Sequence, residues 1–353
     1  MSGGVDSSVA SLLLQRQGYT VIGLSIITHD SGIKTLADSE AVCKKLGLQW
    51  FFIDARDRFA DLVIKNFVDD WLSGLIPNPC VFCNADFKFQ IMMEQAKEHE
   101  CSVLATGHYA SVQRVPQSGR FALVQTDERE KDQTYFLYRL KQDVLSKLIF
   151  PLAGLQKKTV RQLAGEAGLT GKDGRFLSEK PDSQDICFIP TQYLDLIKSE
   201  IERRGLVHSK HLLEPGPIVD LQGREIGRHK GLLSYTIGQR RGFEVKTQER
   251  LFVISRDIKR NILTVGPYEA LLRQQIRVDD VAYSGLEAFP EGSLCQAKIR
   301  SSAKPASCRV YPEADGSLTV VFDHGVPAPT PGQSCVFYDE RVILAGGVIQ
   351  PET

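Results

Sequence analysis

Apolar and polar positions alternate in three distinct ways along this chain. Up to about residue 110, helix-like and strand-like patterns take turns. Val9, Leu12 and Leu13 make a stripe at helical spacing that ends at Gly18, and 19–27 is a β-branched run of the kind that forms a buried strand. Helical spacing returns over 35–46 and closes at Gly47; 50–53 reads as a strand, 59–72 and 87–99 as helices, and 103–105 as a short strand. Strands separated by helices of this length predict an α/β fold, a Rossmann-like parallel sheet with helices on both faces. Ligands of such sheets lie at the carboxyl ends of the strands. That rule brings together Ser2–Ser8, the residues after Ile27, and Thr106-Gly107-His108.

Residues 131–205 read as mainly helical, with an irregular stretch over 171–190. Beyond Gly205 the runs become short, alternating and punctuated by glycine and proline, with strands expected at 219–228, 252–255 and 262–265. From about residue 275 strands recur every 8–12 residues, as in a compact β-barrel. The expected domains are therefore a nucleotide-binding catalytic part over 1–205, a small central β-rich part over 206–272, and a C-terminal β-barrel over 273–353.

Composition adds boundaries to this picture. A chain of 353 residues suits two or three domains. No stretch approaches the roughly 20 apolar residues of a membrane helix, and no basic segment precedes the short apolar run at 9–14. The reading is a soluble, cytoplasmic protein. Eight cysteines scattered over this length are not the framework of a small secreted domain. A formal net charge of zero weighs mildly against a nucleic-acid partner. A local stripe can still supply phosphate contacts, and Arg224, Arg228, His229, Lys230, Arg240 and Arg241 are candidates for one.

The first piece of chemistry is the run Ser2-Gly3-Gly4-Val5-Asp6-Ser7-Ser8, which opens the first helix. Its glycines let the backbone turn tightly, and the exposed N–H groups and helix dipole attract phosphate. Ser2, Ser7 and Ser8 offer hydroxyl donors. Asp6 is unexpected beside an anion, so it either orients the loop or meets a phosphate-bound Mg2+. The lysine of a Walker loop is missing. A site that grips the outer phosphates and leaves the α-phosphorus open suits adenylation by ATP, with pyrophosphate leaving. Only Met1 stands before Ser2, where a strand is expected. A start inside the reading frame, a trimmed chain, or a sheet without its central strand would each account for this.

The second piece is a set of thiols. Cys80 and Cys83 lie in Pro77-Asn78-Pro79-Cys80-Val81-Phe82-Cys83-Asn84, a segment stiffened by two prolines. Cys187 lies in Asp182-Ser183-Gln184-Asp185-Ile186-Cys187-Phe188-Ile189, where the two aspartates would raise a thiol pKa. Three readings are open: half of a zinc site, for which a second CxxC is missing; an iron–sulfur cluster on Cys80, Cys83 and Cys187; or redox thiols, one carrying a persulfide and another resolving it.

The runs MSGGVDSS, LIPNPCVFCNADFKF, ATGHYA, KDQTYFLYRL, DSQDICFIP, GLLSYTIGQRRG and TPGQSCVFYDERVILAGGVI, in this order, resemble the bacterial tRNA-specific 2-thiouridylases, members of the PP-loop ATPases. The resemblance covers essentially the whole chain. It implies ATP-dependent 2-thiolation of the wobble uridine of tRNA, with sulfur supplied by a cysteine desulfurase or a sulfur carrier. It implies that Cys83 is the catalytic nucleophile and Cys187 the persulfide carrier. Asn78, Pro79 and Cys80 would face the target base, and Lys131, Asp132, Gln133, Arg300 and Ser301 would contact tRNA. ATP would lie on Ser2–Ser8, Ile26 and Gly107. Two positions depart from the family pattern: Cys80 stands where aspartate is common, which favours the cluster reading, and Ser301 stands where an aromatic is common. A tRNA-binding protein without catalysis is the alternative if the nucleotide domain is truncated.

Overall fold

Six consecutive residues rich in isoleucine cannot remain in water, and Ile22–Ile27 forms the first strand, β1. It pairs in parallel with β2, Gln49–Asp54, from Ile22 opposite Gln49 to Ile27 opposite Asp54. The computed structural model describes residues 1–181, 186–189, 192–245 and 249–352. Helix α1, Val5–Arg16, precedes β1, and α2, Asp30–Leu46, crosses from β1 to β2. Gly47 closes α2 in the left-handed region at φ 67°, where a side chain would be strained. A second parallel pair joins β3, Leu104–Ala105, to β6, Leu148–Ile149. Between them in sequence lies a hairpin of β4, Ser111–Arg114, and β5, Phe121–Val124. The parallel sheet thus consists of two separate pairs. Beside the first pair, Met1 donates its amino group to Leu24 O, and Ser25 Oγ donates to Met1 O at 2.7 Å.

The central part is a five-stranded sheet of β7 (Gly216–Val219), β8 (Glu225–His229), β9 (Glu244–Val245), β10 (Phe252–Asp257) and β11 (Ile262–Gly266), in the order β10-β11-β7-β8-β9. The strand expected over 219–228 is in fact the turn of the β7–β8 hairpin with parts of both strands. The C-terminal part closes as a six-stranded barrel. Its strands are β12 (Leu272–Tyr283), β13 (Ser293–Lys298), β14 (Ala306–Pro312), β15 (Leu318–Pro327), β16 (Ser334–Asp339) and β17 (Val342–Ile349), and β12 pairs with β17 to close it. The β4–β5 hairpin attaches to this barrel through Val124 opposite Val342.

Residues 131–205 are less helical than their pattern suggests. The longer helices there are Lys157–Glu166 and Tyr193–Arg203, with only short turns between them. A helix runs over 56–72 with a wider π turn at Ala60–Ile64. Another runs over 79–98, starting eight residues before the apolar stripe begins, with a π turn at Cys83–Lys88. Its early start has a local cause. Asn78 sits at the cap and Pro79 at the first helical position, where its missing N–H costs nothing. Among the described residues no helix is long and apolar enough to cross a membrane.

Candidate active site

The phosphate loop divides into an inner and an outer face. Val5 and Ser8 are buried, and Ser8 Oγ donates to Gly4 O at 2.8 Å, so Ser8 braces the loop and does not offer its hydroxyl outward. Ser2 and Ser7 remain at the surface of the loop with their hydroxyls 3.1 Å apart. Gly3 holds φ 68° with Asp38 and the Thr35 carbonyl packed against its α-carbon, so a side chain is excluded both by conformation and by space. The N-terminus of α1 behind the loop supplies oriented N–H groups and a partial positive charge.

Asp6 orients the loop. Lys157 Nζ reaches its two carboxylate oxygens at 2.7 and 2.8 Å, and Tyr109 Oη donates to Oδ1 at 3.0 Å. Tyr109 is in turn fixed by Gln133, whose side-chain oxygen accepts from Tyr109 N and whose N–H donates to Tyr109 O. Lys180 holds the other side, donating to Gly3 O and to Asp38, each at 3.1 Å. Burial raises the Asp38 pKa, but the Lys172 N–H and the Lys180 ammonium outweigh it and hold the carboxyl below its ordinary value. The sequence reading missed both lysines because they lie more than 150 residues from the loop they serve. Gly107 packs its backbone directly on the loop: a Cβ there would lie 2.8 Å from Asp6 C and Ser7 N. Ile26, half-buried on β1, packs against the core that also holds Cys83.

The thiols share a second support. Phe188, next to Cys187, packs edge-on against Phe59 and Phe67 at 5.3 and 5.7 Å, and Phe59 does the same with Phe87 at 5.2 Å. Phe87 lies one helical turn after Cys83. One aromatic cluster therefore anchors both cysteine segments, and burial of each ring contributes about 2–3 kcal/mol. Cys187 itself is exposed, whereas Cys80 and Cys83 are partly covered. Desolvation pushes the Cys83 thiol up to about 11, opposed by Lys88 and reinforced by Cys187 and Cys80. The Cys80 and Cys187 thiols are also raised by desolvation, and Lys88 opposes the shift in each. Lys88 is thus the cation common to the three sulfurs, a role the sequence reading did not assign. Its Nζ donates to Asn84 Oδ1 at 3.0 Å, and Asn84 Nδ2 donates to Phe136 O at the same distance. Asp182 and Asp185, expected to influence Cys187, lie outside the described residues.

The segment leading to Cys80 is held from two other parts of the chain. Gln333 Nε2 donates to Ile76 O at 2.8 Å and Pro77 O at 3.3 Å, and Ile76 N donates to Pro331 O. Arg256, from the central sheet, donates to Gly74 O and Leu75 O and lies 5.0 Å from the Trp71 ring. Asn78 and Pro79 line a cavity of about 340 Å³ on the barrel side of this segment, together with Asp70, Arg139 and Asp280.

The remaining candidates are dispersed. Asp132 accepts from Thr126 N, Gln125 Nε2 and Thr134 Oγ1, which makes it a turn brace beside Lys131. Arg300 donates to Ile237 O, Ala328 O and Thr330 Oγ1, tying the central sheet to the barrel, while Ser301 is exposed. His108 is fully desolvated between Phe89 and Phe150, which drives its pKa down to about 3, so the packed ring is neutral and brings no positive charge to a phosphate. His229 leaves the basic stripe for the same reason. It is buried, accepts from Gly231 N and donates to Asn261 O. Arg224, Arg228, Lys230, Arg240 and Arg241 are exposed. Among the described residues, no three His, Cys, Asp or Glu groups converge to hold a metal, so Cys80, Cys83 and Cys187 do not fit a cluster as placed.

Three family models match consecutive parts of the chain: a tRNA methyl transferase HUP domain over 1–191, a tRNA methyl transferase PRC-barrel domain over 207–267, and an aminomethyltransferase β-barrel domain over 273–349. The chain is 36% identical to the tRNA-specific 2-thiouridylase MnmA of Clostridioides difficile strain 630, over 99% of this chain and 96% of the relative. It is 38% identical to the MnmA proteins of Symbiobacterium thermophilum and Roseiflexus sp. strain RS-1, over 99% of this chain and 90% and 97% of theirs. A phosphate loop without its own lysine, thiols on one aromatic anchor, and likeness over nearly the whole length agree: the chain belongs to the tRNA-specific 2-thiouridylase family.

Proposed function

We propose that this protein uses ATP to replace the C2 oxygen of the wobble uridine, position 34 of tRNA, with sulfur. The observation that carries the reading is the joint support of a pyrophosphate-type loop and two thiol segments in one fold. The C2 oxygen is a poor leaving group. Its attack on the α-phosphorus expels pyrophosphate and turns the oxygen into part of an AMP leaving group. The terminal sulfur of a persulfide on Cys187 then attacks C2 and displaces AMP. Cys83 attacks the Cys187 sulfur, leaving the transferred sulfur on the base and a Cys83–Cys187 disulfide. A variant order has Cys83 first release hydrosulfide, which attacks C2. Either order requires the two Cα atoms to come within about 4.4–6.8 Å. Since burial keeps Cys83 protonated at neutral pH, Lys88 is the group that favours its thiolate.

In this reading ATP contacts Ser2, Gly3, Gly4, Asp6, Ser7, Ile26 and Gly107, while Val5 and Ser8 support the loop from inside. Both Asp6 oxygens are engaged by Lys157, so Mg2+ would be held chiefly by the phosphates, where it offsets their charge, and no step is assigned to it. Asn78, Pro79 and Cys80 lie beside the base, and Lys131, Asp132, Gln133, Arg300 and Ser301 lie along the tRNA. A cysteine desulfurase or sulfur carrier charges Cys187, whose exposure suits delivery from a partner. The protein acts in the cytoplasm. In reconstituted thiolation, Cys83→Ser and Cys187→Ser should each abolish 2-thiouridine, read by mass spectrometry of digested tRNA, with tRNA binding retained. Full activity of either variant would overturn the scheme.

A further inference from the structure

The barrel holds a pair of thiols that the reaction above does not use. Cys295 on β13 and Cys308 on β14 are directly opposed in the antiparallel ladder. Their sulfurs are 3.6 Å apart, and Cys308 Sγ also lies 3.6 Å from Cys295 O. Opposed residues in such a ladder have Cα atoms roughly 4.5–5.5 Å apart, inside the roughly 4.4–6.8 Å range that a disulfide spans. Rotation of two side chains is therefore enough to bring the sulfurs to bonding distance. The two thiols differ in access: Cys308 is fully buried, and Cys295 is partly exposed. Cys335 is fully buried on β16, but the register sets Lys298 opposite Val336, so Cys335 lies past the Lys298 end of the pairing and is not the cross-strand partner of Cys295.

We propose that Cys295 and Cys308 form a second dithiol–disulfide centre, separate from Cys83 and Cys187, that reacts with small disulfides of the oxidised-glutathione class. The order of events follows from access. The Cys295 thiolate attacks the small disulfide, RSSR, giving a mixed disulfide and one RS⁻. The Cys308 thiolate then attacks the Cys295 sulfur and expels the second RS⁻. Two protein thiols are oxidised, one small disulfide is reduced to two thiols, and the two protons lost by the cysteines go to the departing thiolates. The bond would clamp the stem of the β13–β14 hairpin. Its connection over 299–305 carries Arg300 and Ser301, so the clamp stiffens a segment that the proposed function places against tRNA. The redox chemistry itself does not depend on that placement.

The test uses the full-length reduced protein, equilibrated with graded ratios of oxidised to reduced glutathione, quenched with acid, alkylated and mapped by mass spectrometry without reduction. The wild-type protein should yield a peptide pair joined through Cys295 and Cys308, two hydrogens lighter than its reduced parts. Cys308→Ala should stop at a glutathione adduct on Cys295. Cys295→Ser should leave Cys308 unmodified, with adduct formation there at least tenfold slower than at Cys295 in the wild type. A wild-type adduct on Cys295 that never advances to the cross-link would overturn the proposal. So would free, alkylatable Cys295 and Cys308 at ratios where Cys83 and Cys187 are already oxidised. Because the wild-type map carries both outcomes, a variant that fails to fold does not remove the test, and loss of thiolation activity has no bearing on it.

Discussion

Adding one methyl group at Gly107 tests whether the phosphate loop depends on the backbone packed against it. An alanine Cβ there would sit 2.8 Å from Asp6 C and from Ser7 N, and 3.0 Å from Asp6 O. Carbon contacts are favourable near 3.5–4.0 Å, so the loop must retreat by about 0.7 Å. It cannot do so freely. Lys157 and Tyr109 grip the Asp6 carboxylate, Lys180 holds Gly3, and Val9, fully buried, fixes the first turns of α1. Overpacking of this kind costs about 1–3 kcal/mol. A misplacement approaching 1 Å near reacting groups costs on the order of 10²-fold in rate. Gly107→Ala should therefore lower kcat/KM for ATP by roughly 30- to 100-fold, or about 2–3 kcal/mol of transition-state stabilisation. The assay is tRNA-dependent release of pyrophosphate, with tRNA affinity measured separately and expected unchanged. Gly154→Ala is the control, since its Cβ would meet nothing within 4 Å. If Gly107→Ala kept kcat/KM for ATP within about threefold of the wild type, the loop would not be the nucleotide site.

Lys88→Met should move the rising limb of the thiolation pH–rate profile to higher pH and reduce the rate at neutral pH, because the cation opposes the desolvation of Cys80, Cys83 and Cys187; Lys88→Arg should restore most of the rate, and identical profiles would remove Lys88 from the mechanism. Asp70 is pushed up to about 6, first by burial and then by Asp69. The folded state therefore holds this proton more tightly than the unfolded chain, and the resulting stability is present below about pH 4 and lost as pH rises through about 6. Asp70→Asn should stabilise the fold at pH 8 by about 1–2 kcal/mol after allowance for partial exposure, read as a higher thermal midpoint, and leave the midpoint unchanged at pH 4; a rise at both would point to packing. Arg300→Met should lower the thermal midpoint, because two backbone carbonyls and Thr330 lose a charged donor worth about 1.5–3 kcal/mol in all; weaker tRNA binding with no change in melting would instead make Arg300 purely an RNA contact.

The parts of this fold that were legible in the sequence are those whose burial pattern is local. β1 announces itself because consecutive apolar residues have one means of satisfying their backbone while leaving water. The barrel shows in its evenly spaced alternation. The β4–β5 hairpin was not legible: each strand has four residues, and its link to the barrel joins Val124 to Val342, 218 positions away. The helix start at Pro79 was legible but passed over, since two prolines suggested only a stiff segment where Asn78-Pro79 is also a cap followed by a first helical residue. Cys83 and Cys187 stood out by motif, but the sequence placed nothing cationic beside them. Lys88 is five residues after Cys83, and it takes the π turn over 83–88 and the Asn84 contact to hold its ammonium where its charge acts on all three thiols.

The lysine missing from the phosphate loop is the point where sequence and structure explain each other. A Walker-type lysine sits in the loop and commits its charge to the outer phosphates. Here the nearby lysines come from elsewhere and bind the loop's own acceptors: Lys157 the Asp6 carboxylate, Lys180 the Gly3 carbonyl. Each brings a distant segment with it. Lys157 opens the helix Lys157–Glu166, and Lys180 lies on the stretch that continues to Cys187. Tyr109 ties the same Asp6 to Gln133, within the run resembling tRNA-contacting positions. A shift of the loop is thus resisted through bonds of about 3 Å to Lys157, to Gln133 by way of Tyr109, and to Lys180 and Asp38. A lysine within the loop would supply the charge but not these connections, and a reaction that must activate a base before sulfur reaches it has use for both.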